Sequence, residues 1–271
     1  MYYKDRYLAL NVKIISLALI IFAIISFFYK IYQGRNSYAQ ILDDKFQSEE
    51  IINEIRQNSE DLTRLARLYT NTKDTLYKNQ YFEILNISKG VSPRPENFNR
   101  VYWGILTTKD QQDPPFVKTI KKSGSQLIAT AKLDTLEKER ISNALNYSLL
   151  LTQREIEALR VLEGAPSVGN TPEALPNQKK AIDLVNSEDY HKRVILIMEE
   201  LNKAYQLLDT RTTKELSTLE SEIKKSIIIN SGLLFIIILT IVVIIQSAFP
   251  LKKGTHESIT NILFKTKPKK L

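Results

Sequence analysis

An all-α, membrane-anchored chain is the fold that this sequence predicts. Two long apolar runs stand near its ends, apolar residues recur at three-to-four spacing through the polar middle, and no strand-like alternation interrupts that pattern. The first run is Ile14 to Tyr29 (IISLALIIFAIISFFY), and the second is Ile227 to Phe249 (IIINSGLLFIIILTIVVIIQSAF); neither holds a charge. About 20 apolar residues rising about 1.5 Å each cross the hydrocarbon core of a bilayer. Residues 14–29 and 226–249 therefore read as transmembrane helices. They set a polar domain, residues 30–225, on one side of a membrane and two short tails, 1–13 and 250–271, on the other.

The tails carry the basic excess. Lys4, Arg6 and Lys13 face only Asp5 in the first, and Lys252, Lys253, Lys265, Lys267, Lys269 and Lys270 face only Glu257 in the second. Setting these nine bases and two acids aside leaves 29 basic and 28 acidic residues of the chain's 38 and 30, so the central domain is near neutral. Short loops rich in Lys and Arg stay in the cytoplasm. The expected topology is a two-pass inner-membrane protein with both termini cytoplasmic and the central domain periplasmic or otherwise extracytoplasmic. The first run is too long for a signal peptide, and bulky Phe27-Phe28-Tyr29-Lys30 follows where cleavage needs small residues, so an uncleaved anchor is expected. The tails lack the interleaved aromatics of a nucleic-acid platform, and no nucleic-acid partner is expected. With no cysteine in the chain, disulfide scaffolding, thiol catalysis and thiolate metal sites are excluded.

In the central domain Ile51, Ile55, Leu62, Leu65 and Tyr69 form a heptad-like seam with Asn58 as a polar member, and no Pro interrupts Ser37 to Asn71. One helix is expected there, continuous with the first span. A second runs from Gln126 to Glu163 and stops at Gly164-Ala165-Pro166. A loop rich in Pro, Gly, Asn and Ser follows to Asn177, then a short helix over Lys179 to Val185. Ser187-Glu188-Asp189 reads as an N-cap with acids in the first turn. From there an unbroken helix through Met198, Leu201, Tyr205, Leu208, Leu216, Leu219 and Ile223 enters the second span. Residues 72–125 form an insertion with two helical candidates, Leu76 to Ile87 and Asn97 to Leu106, punctuated by Pro93, Pro95, Pro114 and Pro115. Tyr77, Tyr81, Phe82, Phe98, Tyr102, Trp103 and Phe116 make it aromatic-dense. The expected architecture is an antiparallel helical bundle with this insertion as a small, aromatic-rich, membrane-distal cap.

Five patterns carry a resemblance. The first is Ser59-Glu60-Asp61-Leu62-Thr63-Arg64-Leu65-Ala66-Arg67-Leu68-Tyr69, an S-x-D-L-T-R-x-A-R-x-Y run. The second is Tyr81 with Ile84-Leu85, then Pro93-Arg94-Pro95-Glu96 and Tyr102-Trp103. The third is the spacing Ala144, Ser148, Leu151, Glu155, Ala158. The fourth is Tyr190-His191 with Met198, and the fifth is Leu208-Asp209-Thr210-Arg211-Thr212. Over residues 40–225 the chain resembles the four-helix-bundle-like sensor ectodomain of bacterial methyl-accepting chemotaxis receptors, also found on sensor kinases and cyclases. It departs where the family usually has Lys at the position of Val194 and Pro at that of Glu200. Such receptors continue into a cytoplasmic output domain, whereas 22 residues follow Phe249, too few for a catalytic domain. The resemblance implies a ligand-sensing receptor module for transmembrane signalling with no output domain of its own. The competing expectation is a non-sensing adaptor that pairs with helical receptors or envelope components. The heptad seam and the resemblance both imply a homodimer. A receptor or cytoplasmic signalling partner follows from the missing output.

No catalytic constellation, cofactor or metal is expected. His191 and His256 fall on opposite sides of the membrane in this topology, and the eight glycines form no phosphate loop. The candidate ligand site is Arg64 and Arg67, three apart on one helix and suited to a carboxylate-bearing anion. Tyr69, Tyr81, Tyr102 and Trp103 would wall it, with Tyr190 and His191 entering from the last helix. The bland alternative is that Arg64 pairs with an acid such as Glu155 and that the aromatics are core.

Overall fold

A computed structural model of the chain describes residues 2–95, 98, 121–164 and 174–248. Six helices are present among them: α1 (Tyr2–Thr72), α2 (Thr75–Ser88), α3 (Gly124–Thr130), α4 (Thr135–Glu163), α5 (Ala174–Asn186) and α6 (Glu188–Ala248). No β-strand element occurs among the described residues, and the all-α class is observed. The helix expected at Asn97 to Leu106 apart from Phe98, with Tyr102, Trp103, Pro114, Pro115, Phe116, most of the loop after Gly164 and the basic tail from 250, lies outside the described residues.

Two compact units make up the chain. One holds the described residues up to Tyr38 and from Ser217 onward, and the other is Ala39–Leu216. The first contains the apolar stretches of α1 and α6, both long and apolar enough to cross a membrane. Their side chains point outward rather than into a protein core: Phe22 is 72% exposed, Phe235 65% and Ile228 71%. A Cβ on Gly34 would lie 2.6 Å from Ile223 Cδ1. Glycine at that position lets α1 and α6 approach closely within this unit.

The Ala39–Leu216 unit has its own apolar core. Ile52, Leu65 and Ala66 of α1, Tyr81 and Ile84 of α2, Ile141 and Ala144 of α4, Ala181 and Val185 of α5, and Ile197, Ala204 and Leu208 of α6 are fully buried. The seam spacing explains α1, and the steps from Ile197 through Leu201 and Ala204 to Leu208 keep one face of α6 inward. Polar ties give the helix directions. Lys45 with Asp209 at 2.7 Å, Tyr205 with Asn53 at 2.7 Å and Tyr190 with Thr63 at 3.0 Å run α6 antiparallel to α1. Thr63 with Glu155 and Tyr69 with Glu163, both at 3.3 Å, run α4 parallel to α1.

Local chemistry sets the boundaries. Lys73 closes α1 in the left-handed region at φ 58°, donating its N–H to Tyr69 O at 2.8 Å. Asp74 then caps α2 by accepting from the Leu76 N–H. Gly90, at φ 75°, has Ser123 N only 2.8 Å from where a Cβ would stand, so a side chain there would block the close approach of residues 122–123. The helix expected from Gln126 to Glu163 is two helices. Asp134 breaks it because its carboxylate accepts from the Glu137 N–H at 2.7 Å while Glu137 accepts from the Asp134 N–H at 2.9 Å, a reciprocal capping box that starts α4 afresh. Glu137 is fully buried and also takes Arg211 Nε at 2.8 Å, which ties α6 to the start of α4. The short helix expected at Lys179 to Val185 begins earlier, at Ala174, with Pro176 tolerated in its first turn. Ser187 caps α6 as expected, its Oγ accepting from the Tyr190 N–H at 3.2 Å.

Lysine in the left-handed region is strained relative to glycine. Lys73→Gly is expected to raise the unfolding free energy of the full chain in detergent micelles by about 0.5 kcal/mol, read by chemical denaturation; a loss would show that the lysine side chain carries the turn.

Candidate functional site

Glu155 is a deeply buried acid that receives hydroxyls from three other helices. It stands on α4 with 1% of its surface exposed. Tyr81 of α2 donates to its Oε2 at 2.9 Å, and Tyr190 of α6 and Thr63 of α1 donate to its Oε1 at 2.5 and 3.3 Å. Tyr190 Oη is also 3.0 Å from Thr63 Oγ1. Burial raises the proton affinity of Glu155 above the usual carboxyl range, with the three hydroxyls and Arg67 opposing it. Burial and the neighbouring carboxylate push both tyrosines upward, so they stay protonated donors.

Beside this node lies an open groove of about 360 Å³ between α1 and α6. Ser59, Glu60, Thr63, Arg64, Arg67 and Leu68 line it from α1, Val194 and Met198 from α6. Arg64 donates to Asp61 Oδ1 through Nη2 at 2.9 Å and Nε at 3.3 Å. Its partner is thus Asp61, one turn earlier on the same helix, and not Glu155, which three hydroxyls already enclose. Arg67 spends Nε on Val185 O at 3.0 Å and lies 5.3 Å from the centroid of the Tyr190 ring. Among the described residues its terminal nitrogens have no hydrogen-bond partner.

The expected site residues are distributed as follows. Arg64 and Arg67 share the groove. Tyr81 and Tyr190 are buried behind it on Glu155. Tyr69 is buried at the end of α1, donating to Glu163, which also pairs with Lys78 of α2. His191 is exposed and meets the Tyr190 ring edge-on at 6.3 Å. Tyr102 and Trp103 lie outside the described residues. Thr63, Leu68, Val194 and Met198 were not singled out as site residues, although Tyr190, Val194 and Met198 fall four apart and so share one face of α6.

A second polar pair lies apart from the groove. Arg94, in the Pro-Arg-Pro segment, reaches Glu54 Oε1 of α1 at 2.7 Å and lies 5.8 Å from the Phe98 ring centroid. Burial pushes Glu54 up to about 7 in spite of Arg94, and lowers Arg94. Among the described residues no group of acids, histidines and cysteines is placed to hold a metal ion. No family model matches the chain, and no curated protein or solved structure matches it either.

Removing the Glu155 carboxyl leaves three buried hydroxyls without their acceptor. Glu155→Leu is expected to cost about 3 kcal/mol, and Glu155→Gln less, because the amide oxygen still accepts. A carboxyl whose proton affinity is raised by folding stabilises fully below its unfolded value, near 4.3, and loses that contribution as pH rises through its folded value. The melting temperature of the wild type relative to Glu155→Gln should therefore fall as pH rises from about 4.5 to 8; a flat difference would place the proton elsewhere.

Proposed function

We propose that this chain is the ligand-sensing module of a two-pass membrane receptor, similar in design to bacterial chemoreceptor ectodomains, and that it binds a small carboxylate-bearing anion at the Arg64–Arg67 groove. The observation that carries this reading is the groove itself. Two arginines stand on one wall, one with terminal donors unused among the described residues, and the facing wall is Val194 and Met198 of α6. A carboxylate accepts both terminal N–H groups of a guanidinium at once, and the apolar wall suits the remainder of a small organic acid.

The facing helix is the output. α6 runs without a break from Glu188 to Ala248, so one continuous helix includes both the groove wall and the second apolar stretch. A ligand that binds one position of α6 better than another shifts the helix between them by that difference in affinity. In this reading residues 30–225 are an extracytoplasmic helical bundle with residues 72–125 as its cap, residues 14–29 and 226–249 cross the inner membrane, and both basic tails are cytoplasmic. The chain binds and relays, with no chemistry of its own. It acts as a homodimer and hands the signal to a receptor or cytoplasmic partner.

The adaptor reading has one observation in its favour. Phe46 is 56% exposed and Ile195 54%, with Leu42 and Leu196 also outward-facing. Such side chains suit contact with another helical protein, whether a second copy or a full-length receptor.

The full chain in nanodiscs, heated with small carboxylates, amino acids, purines and polyamines in turn, separates the two. A saturable rise in melting temperature with a carboxylate is expected, and Arg67→Ala should weaken that binding at least about tenfold. A flat response across the panel, with co-purification of a helical receptor, would establish the adaptor instead. Topology is tested separately, because the chain has no native cysteine. Arg154→Cys should react with a membrane-impermeant maleimide in cells whose outer envelope is opened, and Lys4→Cys only after lysis; the reverse pattern would invert the orientation.

A further inference from the structure

We propose that the groove takes its anion together with a proton, and that Glu155 is the group that holds the proton; this rests on the anion-binding reading of the same groove. Thr63 Oγ1, Tyr190 Oη and Glu155 Oε1 form a closed triangle with sides of 3.0, 2.5 and 3.3 Å. With Glu155 ionised, the three oxygens share two hydrogens, one from Thr63 and one from Tyr190, over three edges. One proton from solvent on the carboxylate gives three hydrogens for three edges, and the ring closes without any atom moving. Tyr81 continues to donate to Oε2 in either state.

The groups that face Glu155 define what sets its charge. Thr63 and Arg67 approach from α1, Tyr81 from α2 and Tyr190 from α6, and on α4 the Thr152 carbonyl lies 3.5 Å from Tyr81 Oη. Arg67 is the one cation among them, and its field favours the ionised carboxylate. Arg67 is also the groove arginine whose terminal nitrogens have no partner among the described residues. An anion seated on it adds a negative charge beside Glu155 and offsets part of the guanidinium field that favours the ionised carboxylate. Both effects draw a proton onto the carboxyl, so the site accepts anion and proton as a pair. Linkage is reciprocal: lowering the pH through the range where Glu155 titrates strengthens anion binding by the same coupling.

Tyr190 joins the two halves physically. Its ring lies under the Arg67 guanidinium and its hydroxyl is a corner of the triangle. It is also the third residue of α6. The protonated and ionised rings hold Tyr190 with different hydrogen-bond polarity, so the proton on Glu155 of α4 acts on the same helix that walls the groove.

The test is calorimetric titration of benzoate into the full chain in nanodiscs at pH 6.5, in two buffers of different ionisation enthalpy. Benzoate is fully ionised there and brings no proton of its own. Uptake of up to about one proton per benzoate is expected, with Kd falling by up to about tenfold per unit of pH lowered toward 5.5. Glu155→Gln should bind benzoate with no proton uptake. His191→Gln, which removes the exposed histidine beside Tyr190, should leave the uptake unchanged. Saturable benzoate binding with no proton uptake in the wild type would overturn the proton coupling and leave the anion groove standing. Loss of the uptake in His191→Gln would move the proton to the histidine. No binding of benzoate or of any carboxylate in the panel would overturn the groove reading and this inference with it. The wild-type proton count decides the matter even if Glu155→Gln fails to fold.

Discussion

A carboxyl group at 1% exposure inside a helical core sets the terms for everything packed around it. Left without partners it would cost several kcal/mol. Glu155 is kept because three helices each bring one hydroxyl to it: Thr63 from α1, Tyr81 from α2 and Tyr190 from α6. Hydrogen bonds are directional where apolar contact is not, so these three fix the rotation of each helix about its own axis as well as its axial position. The surrounding Leu, Ile and Ala side chains would fill a similar volume in several registers; the node admits one. Arg64 and Arg67 inherit their place from it. They flank the Thr63 turn of α1, and once Thr63 faces Glu155 they project into the gap beside α6.

The same constraint recurs further along α6, at Arg211. Arg211 reaches the fully buried Glu137, which is already spoken for as the capping residue of α4. Breaking that pair would strand a buried carboxylate and loosen the first turn of α4 together. Between Tyr190 and Arg211 the buried residues Ile197, Leu201, Ala204 and Leu208 of α6 are apolar, and Glu200 with Arg140 and Tyr205 with Asn53 add polar ties beside them. Polar ties of this kind change in discrete steps, because a hydrogen bond is either made or remade with another partner, whereas an apolar face accommodates small displacements. A helix held by several such ties, with apolar contact between them, is suited to occupy a small number of defined positions.

How much of this is readable from the residues depends on what each residue needs. The helices were legible because burial of one face imposes three-to-four spacing, and the ends at Gly164 and Ser187 because caps have their own chemistry. The break before α4 was also encoded, in Asp134 with Glu137 three residues on, but the string around it (KLDTLEKER) is so favourable to helix that a pattern of apolar spacing runs straight through it. Glu155 appeared in the sequence as one member of the spacing Ala144, Ser148, Leu151, Glu155, Ala158. That position marks it for the inward face, and a glutamate there demands donors, yet nothing local says that they are Tyr81 and Tyr190. Those pairings join residues 74 and 35 positions apart and exist only in the folded chain. Of the tyrosines expected to wall the site, Tyr81 and Tyr190 turn their hydroxyls to the internal carboxylate of Glu155, and Tyr69 turns its hydroxyl to Glu163.

That internal carboxylate also decides which arginine is open to a ligand. Tyr81, Tyr190 and Thr63 are the donors that an incoming acid would have used, and Glu155 already occupies them. What remains is the guanidinium edge. Arg64 is committed twice to Asp61, whose second oxygen takes Gln57 at 2.9 Å, so displacing it would leave a buried acid short of a partner. Arg67 is committed once, through Nε to a backbone carbonyl, and its ring neighbour Tyr190 holds the guanidinium plane from below. An arginine anchored at Nε and stacked on an aromatic is preorganised, so little rotamer freedom is lost when an anion meets its outer nitrogens. In the proposed anion-binding reading, specificity at the groove would rest on Arg67, with Arg64 shaping the rim, and an acid bound there would sit one side chain away from the buried carboxyl that holds the helices in place.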